Sequence, residues 1–292
     1  MKIAYHIGAH SADGDNLLRG LLKDRERLSK GGIAVPGPGK YRRNLREVLA
    51  YAEGGKLNKT QGQEILSNIL EDGKADRLVL SAPNFMGFPK FAVRGNVLYP
   101  EAPARVATLV NLLPATDIEL HLSISNPVTF VPTLLEQSSG PGDRAELQQT
   151  DPRKLLWSEL IGRLRQACPN AQMVVWCQED TPLIWSEVLL SVAGLPANVT
   201  PLHGANDVLA EIMTKEGLQR YQAYMKARSP MTQQQHSAVA TAFLDKFSVP
   251  DALEQEINMP GWDMALIDEA TRNYEEDTQR IIAMNDIDVI LP

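Results

Sequence analysis

The chain has only two cysteines, Cys168 and Cys177, and no His or Cys cluster near either of them. That pattern supplies neither a disulfide framework nor the ligand spacing of a zinc site. Both thiols flank an expected strand and read as packing residues in a reducing compartment. Long apolar runs are also missing: charges or prolines interrupt every one before it reaches the roughly 20 residues that cross a bilayer. No transmembrane helix and no membrane partner are expected. The opening Met1-Lys2-Ile3-Ala4-Tyr5 runs straight into a strand-like segment, without a signal-peptide apolar stretch or a small-residue cleavage site, which predicts a cytoplasmic protein. A surplus of basic charge is absent too. The formal net charge is -7, and neutralising a phosphate backbone needs clustered Lys and Arg, so no nucleic-acid partner is expected.

What is present suffices for a core: 43% of the 292 residues are apolar and 22% are charged. Short apolar runs bounded by turn residues read as buried strands over Lys2 to Ile7, Arg77 to Ser81, Ile118 to Ile124 and Gln172 to Cys177. Helical patterns separate them. Leu17, Leu18, Leu21, Leu22 and Leu28 share one face after Asp15, an expected N-cap, and Gly31-Gly32 ends that helix; Trp157, Leu160, Ile161 and Leu164 form a second stripe. Alternation of strand and helix predicts a doubly wound α/β fold with a mainly parallel sheet covered on both faces. Between Gln137 and Asp151 a shift to Ser, Gly, Pro, Asp and Gln predicts an exposed loop. From His203 onward helices are expected over 208–227, 232–247 and 264–284, with a last strand at Ile287 to Leu291. The expected organisation is an α/β core over 1–200 and a helical extension over 201–292 packed on it.

The first strand passes through Gly8-Ala9-His10-Ser11-Ala12-Asp13-Gly14-Asp15 into a helix start at Asn16-Leu17. Such a turn aims free backbone N–H groups and the positive end of a helix dipole into the loop, a usual arrangement for anions. A phosphate cradle adds several glycines, a Lys and a Ser or Thr hydroxyl. This loop has no Lys and two carboxylates, Asp13 and Asp15, which repel an oligophosphate unless a metal or Arg offsets them.

The segment resembles the start of bacterial sulfotransferases, which read His-Ile-Gly-x-His-Lys-Thr-Gly-Thr-Thr-x-Leu and later Gly-Ile-x-x-Pro. His6-Ile7-Gly8-Ala9-His10, Leu17 and Gly32-Ile33-Ala34-Val35-Pro36 match in order and spacing. Ser11 stands where that pattern has Lys, Asp13 where it has Gly, and Gly14 and Asp15 where it has two Thr. Ser125-Asn126-Pro127 is similar to the family's Arg-Asp/Asn-Pro segment, with Ser125 at the Arg position and Thr133 at the hydroxyl expected eight residues on. Ser81-Ala82-Pro83-Asn84-Phe85 resembles Ser-x-Glu-Asn-Phe with Pro83 in place of the Glu. Glu179-Asp180 resembles a strand-end Glu-Asp pair, and Tyr274-Glu275-Glu276-Asp277, with Trp262 upstream, the closing Tyr-x-x-Asp helix.

The resemblance implies a P-loop sulfotransferase-type fold and a 3′-phosphoadenosine-5′-phosphosulfate (PAPS) donor, or its product PAP, contacted by Gly8, Ser11, Gly14, Asn16, Ser125 and Thr133. It implies sulfuryl transfer to a hydroxyl or amine, but with the grip on the donor degraded. The rival reading is a non-catalytic binding or assembly protein on the same scaffold. Transfer needs a base and fixed positive charge for the leaving phosphate. His10 and Glu179 are the candidate catalytic groups, set against structural roles for both; for Glu179-Asp180 that role is capping the following helix. His6 reads as a packing residue. Arg42 and Arg46, four apart on a helix after Gly37-Pro38-Gly39-Lys40, are the candidate contacts for an anionic or saccharide acceptor, set against a solvated helix face. No resident metal is expected; the variant in which Asp13, Asp15 and Glu179 hold a divalent cation is the weaker reading.

Overall fold

The protein is described by a computed structural model covering residues 1–10, 15–52, 59–71, 73–228, 231–253, 257 and 259–292. In chain order the elements are β1 (Lys2–Gly8), α1 (Asn16–Leu22), α2 (Arg25–Lys30), β2 (Ile33–Ala34), α3 (Arg42–Ala52), α4 (Lys59–Leu70) and β3 (Arg77–Ser81). A small hairpin of β4 (Val93–Arg94) and β5 (Val97–Leu98) follows, then α5 (Ala102–Leu112), β6 (Asp117–Ile124), α6 (Pro127–Gln137), α7 (Pro141–Gln148), α8 (Trp157–Ala167), β7 (Gln172–Cys177) and α9 (Thr181–Ala193). The chain ends in α10 (Asp207–Ile212), α11 (Lys215–Arg228), α12 (Gln233–Phe247), α13 (Pro250–Leu253), α14 (Met264–Ile282) and β8 (Asp288–Ile290).

Six strands form one sheet in the order β2-β3-β1-β6-β7-β8, and every pairing in it is parallel. Alternate strand residues serve two cores, as a period of two requires. Ile3, Tyr5, Leu78, Leu80, Leu120 and Val175 face a layer built from α3, α5, α8 and α14, whereas Ala4, Val79 and Trp176 face α1, α2 and α9. Helices on both faces of a parallel sheet make the fold α/β and doubly wound in layout. The strand next to β1 on one side is the third main strand, not the second, so the sheet differs from the 3-2-1-4-5-6 order of dinucleotide-binding folds. The order in which strands are added reverses around β1, placing a crevice between β1 and β6 at the carboxyl ends of the strands.

Residues 201–292 join the rest of the chain through specific contacts. Leu209, Met213, Tyr221 and Ala240 form a separate small core under α10 to α12, and β8 pairs with β7 to complete the sheet. Gly204 presses against α1 so closely that a Cβ there would lie 2.5 Å from the Gly20 Cα, while its carbonyl accepts from Trp185 Nε1 at 3.1 Å. The buried Asp24 carboxylate fastens the same loop, accepting from the backbone N–H of His203 at 2.6 Å. Among the described residues no helix is long and apolar enough to cross a membrane.

Several sequence expectations need correction. Residues 141–148 are helical, not loop: Pro141 occupies the first turn, Leu147 is buried, and Arg94 pairs with both Asp143 and Glu146. The expected helix over 208–227 is broken at Met213, which bridges to Ser248, and the first leucine-rich helix divides at Lys23-Asp24. Asp15 holds the expected N-cap position, its carbonyl accepting from the Arg19 N–H at 3.0 Å, but its backbone is left-handed, with φ 69°, and its side chain makes no capping bond.

Candidate functional site

β1 ends at Gly8, whose φ of +122° is a conformation open to glycine, and a Cβ there would meet Met86 Cε at 3.3 Å. The chain then keeps contact with β6, Ala9 N–H donating to the Ser123 carbonyl at 2.9 Å. His10 follows, buried and held on three sides. Its backbone N–H donates to the Tyr99 hydroxyl at 3.0 Å, and Nδ1 lies 2.8 Å from that hydroxyl. Nε2 lies 3.1 Å from Asn84 Oδ1, which can only accept, so Nε2 carries the ring hydrogen and donates to it, leaving Nδ1 to accept the Tyr99 hydroxyl proton. Burial lowers the His10 pKa against the opposing pull of the Asn84 and Gly87 acceptors. Burial thus favours the neutral ring, and both nitrogens are engaged. His6 packs as expected, stacked on Trp176 at 5.7 Å with Nδ1 2.9 Å from Ser81 Oγ.

The Asp15 carboxylate receives both terminal nitrogens of Arg42 at 2.7 and 2.9 Å, a bidentate pair that holds its pKa below the usual carboxylate range. Arg42 Nε also donates to the Ser81 carbonyl at 2.9 Å. Tyr41 hydroxyl donates to the same carbonyl at 2.6 Å and accepts from the Ser81 N–H at 3.0 Å. The first turn of α3 is thus fastened to the end of β3. Arg42 spends its fork inside the protein and does not present it to an acceptor.

Glu179, in the turn after β7, does not cap the helix that follows it. One oxygen accepts from the Asn126 N–H at 2.6 Å and the other from the Tyr274 hydroxyl at 3.0 Å, tying α6 and α14 to the sheet edge. Asn126 caps α6 through its side chain, accepting from Val128 N–H at 3.1 Å, and its amide donates to Thr271 at 3.1 Å. Asp277, one turn beyond Tyr274, receives the backbone N–H and the hydroxyl of Ser158 at the start of α8. Asp180 makes no capping bond, and burial, with Glu179 beside it, raises its pKa.

These segments enclose a cavity of about 630 Å³ at the carboxyl edge of the sheet. His10, Ser125, Thr133 and Glu179 all line it, together with Asn126, Gln178 and Thr271 and an apolar wall that includes Phe130, Ile212 and Ile267. The charged side chains among its described lining residues are Glu179 and Glu211; no Lys or Arg is present. Gly8 lines a neighbouring cavity of about 250 Å³ with His6 and Asp15, and His10 stands between the two. Arg42 and Arg46 line a third, of about 380 Å³. Asn16 turns to the rim of the main cavity, donating to both Glu211 oxygens at 3.0 and 3.2 Å. Ser11, Asp13 and Gly14 lie outside the described residues. No group of three His, Cys, Asp or Glu side chains among the described residues has a metal-holding arrangement.

Sequence reasoning missed Tyr99, Glu211 and Thr271 as parts of this site. Tyr99 and Glu211 sit in no motif, and their long-range partners carry no local signal. No family model matches the chain, and no curated protein matches it.

Proposed function

We propose that the protein is a non-catalytic relative of the sulfotransferases that binds a small molecule without negative charge in the main cavity. The observation that carries this reading is the charge of the described lining: two glutamates and no Lys or Arg. Beside a carboxylate about 4 Å away, each phosphate charge is opposed by about 4 kcal/mol at the effective dielectric of a protein surface. Ser125, where the resemblance asks for Arg, supplies only a hydroxyl. Hydrogen-bond donors suit Glu179 and Glu211, and hydroxyl acceptors line the α6 side, where Thr133 donates to Thr129 O at 2.8 Å and keeps its lone pairs for a ligand. Saccharide hydroxyls are the partner class that fits these groups.

The loss of transfer chemistry follows from the same residues. A general base needs a free lone pair at the acceptor proton, and His10 has committed Nδ1 to Tyr99 and Nε2 to Asn84. Glu179 holds two structural donors. The free, buried thiols Cys168 and Cys177, both pushed up to about 11 by burial, support a reducing compartment such as the cytoplasm. The reading is tested by incubating the protein with radiolabelled PAPS and hydroxyl acceptors. No transfer above buffer is expected. Transfer that disappears in Glu179→Gln or His10→Asn would overturn it.

A further inference from the structure

The 380 Å³ cavity beside α3 has the opposite character to the main one. Arg42, Arg43 and Arg46 line it, no carboxylate is among its described lining residues, and Pro38, Leu49 and Phe85 are among its apolar walls. Two of the three cations are already paired. Arg42 holds Asp15, and Arg43 holds Glu47 one turn along at 2.8 Å. Among the described residues Arg46 has no partner, in a protein whose net charge is -7.

A second donor faces the same space. Asn84 accepts from His10 Nε2 through Oδ1, and this fixes the amide so that its Nδ2 hydrogens remain unclaimed by any described residue. The wall that carries Arg46 is pre-organised, because Tyr41 and Arg42 fasten the start of α3 to Ser81. Arg42, Arg46 and Leu49 follow at four- and three-residue steps and so share one helix face. The volume lies in the range of pockets that take small ligands.

We propose that this cavity is a separate binding site for a monocarboxylate with an apolar body, its head on the Arg46 guanidinium and the Asn84 amide and its body against Leu49, Phe85 and Pro38. A planar carboxylate matches the guanidinium fork, and a single unpaired cation suits a single negative charge. The site is independent of the main cavity, since its donors and its charge preference are different.

Calorimetric titration of the full chain with 3-phenylpropanoate and with the uncharged 3-phenylpropanamide tests the proposal. The acid binds at least tenfold more tightly than the amide. Arg46→Gln, an exposed substitution that keeps the melting temperature, lowers the acid's affinity at least tenfold, and Asn84→Asp lowers it further by facing the head group with a carboxylate. An acid that gives no heat at millimolar concentration, or an Arg46→Gln variant that binds it unchanged, overturns the proposal.

Discussion

The histidine that the sequence offers as a base is, at the scale of single side chains, a fixed strut. Tyr99 and Asn84 hold the two ring nitrogens of His10, and burial lowers its pKa. His121, fully buried beside Glu119, is lowered by burial in the same way. The unfolded chain binds these protons at about pH 6.5, whereas the folded protein resists them to lower pH. Their contribution to stability is therefore complete above about pH 6.5 and is lost as pH falls through the depressed folded values. Denaturant midpoints between pH 5 and 7 are expected to rise with pH, by at most about 1.4 kcal/mol per pH unit for each histidine. His10→Asn reduces that slope and leaves the part due to His121; an unchanged slope would show that His10 titrates freely.

Individual elements were legible where one local signal decided them. β3 and β7 fall on their expected residues, because each is a short apolar run bounded by polar or turn residues. β2 is two residues long and is defined by its pairing with β3, a contact the local pattern does not encode. α7 escaped for a related reason: its sequence is polar, and the Arg94 pairs that support it come from the β4-β5 hairpin. Much of the site was legible as motifs that converge, since Ser125, Thr133, Glu179 and His10 meet at one cavity. The pairing of Asp15 with Arg42 was not, because it joins two segments that each read differently alone. Docking of the extension rests on Gly204 against Gly20. Gly204→Ala forces backbone apart and is expected to destabilise by about 1–3 kcal/mol, read as a lowered urea midpoint. An alanine variant of wild-type stability would mean that α1 and the extension are loosely joined.

Across the whole molecule, charge is sorted by site. A main cavity with two carboxylates among its described lining sits at the crevice where the strand order reverses, and a second cavity lined by three arginines lies along α3. The resemblance to sulfotransferases would ask for positive charge at the first of these places, and the described lining there carries two glutamates. The Arg42 fork is closed by the protein's own Asp15. On the proposed reading the crevice takes an uncharged, hydroxyl-bearing ligand in place of an anionic one. Calorimetric titration with adenosine 3′,5′-bisphosphate at low ionic strength, where electrostatics are least screened, tests this most directly. The account predicts no detectable heat at millimolar ligand; binding in the micromolar range that is abolished by Thr133→Ala would contradict it.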